Sequence, residues 1–128
     1  MPFQFTADAT FKWPVTIIKP VPDQPGQTTS HEFIGVFKQQ MQHAHDALND
    51  SLNEIDPRSP TALEEAAAIN REWYRQILVD WEDILDGEGQ PLPFSAANLD
   101  LLLTDPVVGL CISKAYNASQ KQDAQKKN

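Results

Sequence analysis

Between residues 80 and 95 the chain reads DWEDILDGEGQPLPFS, with five acids in the first nine positions and then glycine and proline breaks. Carboxylates at that density suit a calcium loop, a surface that meets a basic partner, or a solvated end of an element. A calcium loop of the EF-hand type needs alternating acids, a glycine and a closing glutamate. Asp83, Asp86 and Glu88 are spaced otherwise, and Leu92 to Ser95 supply no closing acid. Asp80, Glu82, Asp83 and Asp86 are left with two readings, the first an acidic partner surface. Such a surface repels stacked copies or selects basic residues of a client; a solvated helix end is the plain alternative.

The other reactive side chains make no catalytic set. His43 and His45 lie two apart, so on a helix they point to different faces, and His31 is remote from both. There is no HExxH pair, no cysteine pair, no Gly-rich phosphate loop and no G-x-S-x-G elbow. The single cysteine, Cys111, sits in the apolar run VVGLCISKAY, where a thiol behaves as a small buried hydrophobe. No catalytic residue, cofactor or metal ion is expected.

Eighteen acids against ten bases give the 128 residues a net charge of −8. That balance argues against nucleic acid and anionic membranes as partners, since both require a basic patch. The opening MPFQFTADAT has neither the basic nor the apolar region of a signal peptide, and no apolar run is long enough to span a bilayer. A soluble, cytoplasmic protein of one domain is expected.

The elements that must position these residues follow from periodicity. FKWPVTIIK, residues 11–19, is β-branched and aromatic without a helical period and predicts a strand; Pro14 confines it to an edge or marks its start. After a Pro/Gly turn, HEFIGVFKQ fits two readings. Alternation predicts a second strand to about Lys38 and then a helix from about Gln40 to Glu54, whereas Phe33, Phe37, Met41, Ala44, Leu48, Leu52 and Ile55 also fall at helical spacing. Gly35 and the β-branched Ile34 and Val36 favour the strand. Residues 61–85 carry Ala62, Leu63, Ala66, Ile69, Trp73, Ile77, Trp81 and Ile84 on one stripe. This predicts one amphipathic helix about 40 Å long. Ser95 caps a short helix, AANLDLLLT, and Asp105 with Pro106 opens a last one. The predicted fold class is α+β, mostly α: an N-terminal β-hairpin followed by about four helices. Residues 1–10 form an arm, 11–117 one domain and 118–128 a polar mobile tail.

Two parts of that picture are incomplete in a lone copy. A two-stranded hairpin leaves both margins unpaired, and the long helix carries more aromatic stripe than its neighbours cover. Phe33, Phe37, Trp73, Ile77 and Trp81 are thus candidates for self-association or client binding, by helix-in-groove docking or strand addition.

The order of these signals resembles the tail assembly chaperones of lambdoid, long non-contractile-tailed phages, from about Phe11 to Tyr116. The resemblance rests on the hairpin, then Trp81 near a helix end, the acidic Gly/Pro turn, Phe94-Ser95, Asn98, Leu99 and Leu102, and a final helix ending in Tyr116. It implies a non-catalytic role in the host cytoplasm. Such chaperones act as oligomers that coat the tape measure protein, recruit the major tail protein and leave before the virion is complete. It also implies a possible frameshift-extended form, since Gln125 to Asn128 can be encoded by an A-rich run. The competing expectation is a structural connector or tail-end protein retained in the particle.

Overall fold

The computed structural model of the chain describes residues 2–6 and 9–121. Strand β1, Thr10–Pro20, and strand β2, Thr28–Lys38, form the expected hairpin, antiparallel with Thr10 opposite Lys38 and Pro20 opposite Thr28. Its turn closes with the Val21 N–H donating to the Gln27 carbonyl at 2.9 Å, while Gly26 supplies a φ of 79° that side chains resist. Pro14 is tolerated because β1 lies at one edge of the sheet. Alternation then sorts the faces: Val15, Phe33 and Phe37 are buried, and Lys12, Pro14 and Thr16 face outward.

The prediction of a single helix over residues 61–85, and with it a mostly helical fold, is overturned. Helix α2 spans Ala62–Ile77 only, and Leu78–Glu82 is a third strand, β3, antiparallel to β2. The described residues form a three-stranded antiparallel sheet, in the order β1-β2-β3, beside four helices. The physical reason for the error lies in a bulge. Val36 pairs with Asp80 and Phe37 with Leu78, so Val79 is an extra residue in the ladder. The bulge turns both Leu78 and Trp81 into the core, three positions apart, which mimics the spacing of a helix. An open β2 margin beside an apolar, β-branched stretch then outweighed local helix preference.

Helix α1, Gln42–Asn53, runs antiparallel to α2 and has no fully buried residue. Helix α3, Ala96–Leu102, starts at Ser95, whose hydroxyl accepts from the Asn98 N–H at 3.0 Å. Helix α4, Pro106–Ser119, starts at Asp105, whose carboxylate accepts from the Val107 N–H at 2.9 Å. The same carboxylate pairs with Lys19, tying α4 to β1. Val108, Ile112, Ala115 and Tyr116 of α4 meet the inner face of the sheet, together with Ile77, Leu78, Trp81 and Leu99, in one core. Of the expected tail, 118–128, α4 takes in residues to Ser119, which is buried, and 122–128 lie outside the described residues.

Candidate functional site

Four of the five residues expected to join copies or clients are interior. Phe37 and Ile77 are wholly buried, and Phe33 and Trp81 nearly so. Phe37 lies between the Phe11 and Tyr116 rings, with centroids 5.8 and 5.9 Å away. Trp81 donates its indole N–H to the Leu92 carbonyl at 2.8 Å and meets Phe94 edge-on at 4.8 Å. That clasp gives the Trp81–Phe94 motif a structural reason: it draws the acidic turn back onto the sheet. The predicted bare margin of the hairpin is likewise covered by β3 along Ile34–Phe37. Trp73 alone of the five stays half-buried, its indole N–H donating to Gln40 Oε1 at 3.0 Å.

The acids of the opening turn are exposed, but several act locally. Asp86 accepts from the Glu88 and Gln90 N–H groups at 2.8 and 3.0 Å, building the turn that Leu85 and Pro91 close as a bridge. Glu82 pairs with Lys12 at 3.1 Å across the outer face of the sheet, and Asp80 accepts from the Trp81 N–H at 2.8 Å. Asp83 takes a φ of 70°, the left-handed region that an aspartate tolerates better than most residues. Asp80 and Glu82 lie on β3 and Asp83 and Asp86 in the turn after it, beyond the end of α2 rather than on it.

The surface that spacing missed lies along the seam of α1 and α2. Ala44, Leu48 and Leu52 make an apolar stripe on α1 that Ile55 continues just past its end, yet each of the four is only half-buried. Against α2 they leave an open trough. It runs from Ala44 and Gln76, past Leu48 and Trp73, to Ile55, Ala68 and Ile69. Glu54, Asp56 and Glu65 rim its far end, and Arg75 lies at the near end, paired with Asp100 at 2.5 Å and Glu72 at 3.5 Å. The spacing of Ala44, Leu48, Leu52 and Ile55 carries the signal, but spacing alone does not say how far α2 covers the stripe. A second apolar depression lies between α2 and α4, where Ala67 and Tyr74 face Leu103 and Leu110.

Burial raises the Tyr74 hydroxyl above its ordinary value, and that hydroxyl donates to the Gly109 carbonyl at 2.9 Å. Lys19 first, and then the Val107 N–H, hold Asp105 below the usual carboxylate range. Among the described residues no group of three or more His, Cys, Asp or Glu side chains is placed to hold a metal ion. His31 bonds Thr29 Oγ1 at 2.9 Å, while His43 and His45 lie exposed on α1. No single described helix is long and apolar enough to cross a membrane.

The model of the YdaY prophage protein family matches residues 36–128. No curated protein and no solved structure matches the chain. The matched stretch starts in β2 and takes in β3 and all four helices, which leaves out β1 and most of its pairing partner. Since the match extends over well more than half of the sequence, the chain belongs to the YdaY prophage protein family.

Proposed function

We propose that this prophage protein is a non-catalytic assembly chaperone. In this reading several copies coat the tape measure protein during tail morphogenesis and recruit major tail subunits, then leave before the particle is finished. The observation that carries it is the unfinished helical half of the molecule: α1 lays an apolar stripe beside α2 and buries none of its residues completely. Helix pairs left open in this way gain by accepting further apolar surface, at about 25 cal/mol per Å² removed from water. Prophage membership and the order of Trp81, the acidic turn, Phe94-Ser95 and the closing helix support the same reading. The net charge of −8 keeps such copies soluble while they wait for a client.

The test is co-expression with a tape measure protein of the same prophage. A soluble complex holding several copies per client chain is the expected result, together with absence of the protein from purified particles by mass spectrometry. A client that stays insoluble or unbound contradicts the proposal, and so does stoichiometric retention in the particle.

A further inference from the structure

We infer that the α1–α2 trough is a docking site for one amphipathic helix of a partner protein, with basic residues at the end that reaches Glu54 and Glu65. The inference rests on the assembly reading for the partner's role, but its geometry and charge are argued from the trough alone. From Ala44 to Ile55 the seam extends for about 17 Å, three turns of helix. Its floor is Leu48, Ile55 and Ile69, with small residues, Ser51 and Ala68, where a third helix must approach closely.

Charge supplies the orientation. Glu54 and Glu65 stand at the far rim, and neither has an ion-pair partner among the described residues. Asp56 beside them is 62% exposed and has only Arg58 at 3.7 Å. At the other end of the trough the Arg75 guanidinium is already met by Asp100 and Glu72, so the unpaired carboxylates lie at the Glu54 end. A helix laid in it is therefore favoured with cations near Glu54 and Glu65 and disfavoured when reversed. Added to α1 and α2, it completes a three-helix arrangement and covers the stripe that α1 leaves half open.

The probe is a synthetic amphipathic peptide of about 14 residues, a length that spans the trough. Leucines form one stripe and lysines the flanks; a counterpart carries glutamates in place of the lysines. Calorimetric titration into the full chain is expected to show the lysine peptide binding at least about tenfold tighter. Joint Glu54→Lys and Glu65→Lys substitution, at exposed positions that do not support the core, should cancel or invert that preference. Joint Ser51→Gln and Ala68→Gln substitution should weaken both peptides by narrowing the trough. Equal binding of the two peptides, no binding, or indifference to both variants overturns the inference.

The same variants, tested on the co-expressed client, separate this inference from the assembly proposal. A client held equally by both variants sinks the trough and leaves the chaperone role. Peptides that behave as expected beside a client that never binds do the reverse. An oligomer that dissociates on Ser51→Gln and Ala68→Gln identifies a second copy as the occupant, and also overturns the inference.

Discussion

Gly35 is the position where the sheet and the core constrain each other most tightly. A β-carbon there would lie 2.7 Å from Cε2 and 3.0 Å from Cζ of Phe37, and 3.2 Å from Cδ1 of Leu78. Carbon atoms in contact sit at about 3.5–4.0 Å, so Gly35→Ala forces the ring or the strand to move by about 0.8 Å. Neither obstacle yields easily, because Phe37 and Leu78 are both 0% exposed and Phe37 is bounded by Phe11 and Tyr116. Overpacking of this kind costs about 1–3 kcal/mol. Reduced freedom of the unfolded chain returns about 0.4–1 kcal/mol. The net expectation is a loss of about 1–2 kcal/mol, or about 3–6 °C in Tm for a chain of this length. Urea and thermal denaturation followed by circular dichroism measure it. Phe37→Leu should cost less in the Gly35→Ala background than alone, since the shorter side chain relieves the clash. A Gly35→Ala protein as stable as the parent, or costs that simply add, refutes the packing described for β2 and β3.

Trp81→Phe keeps an aromatic ring against Phe94 but strips the Leu92 carbonyl of its donor, and should cost about 2 kcal/mol in denaturant titration. Asp86→Ala removes the acceptor for two turn N–H groups and should lose about 1 kcal/mol. Asp86→Asn retains an acceptor oxygen and should lose less; equal losses would show that the charge, not the turn, matters. Because the folded state holds Asp105 below its ordinary value, the contribution of that carboxylate is present at neutral pH and disappears as pH falls through its lowered folded value. Acid unfolding below about pH 4 should accordingly be less steep in Asp105→Asn, whose amide oxygen can still cap α4, and an unchanged profile would dismiss the Lys19 contact.

The hairpin and the caps at Ser95 and Asp105 are legible because each depends on neighbours in sequence, while Glu32 to Lys38 satisfies both a strand and a helical period and is settled by its pairing with β1 and β3. Alternation marks β2, and the cap residues bond N–H groups two and three positions on. The third strand was hidden because its pairing depends on β2, more than forty positions earlier, and its bulge places buried residues at helical spacing. That one misreading carried the site with it. Ile77 and Trp81 looked like surplus stripe on a long helix, whereas the strand turns Trp81 inward to Leu92 and Phe94. The trough was obscured for the opposite reason. The α1 stripe reads as core in one dimension, and only the placement of α1 along one side of α2 leaves Leu48 and Ile55 half open.

Hydrogen–deuterium exchange of the full chain, alone and with the co-expressed helical client, tests the docking of that client in the α1–α2 seam most directly. Slower exchange along Gln42–Asn53 and the facing part of α2, with β1 and β2 unchanged, is the predicted result. Protection confined to the acidic turn from Asp80 to Glu88, or to the strands, contradicts it.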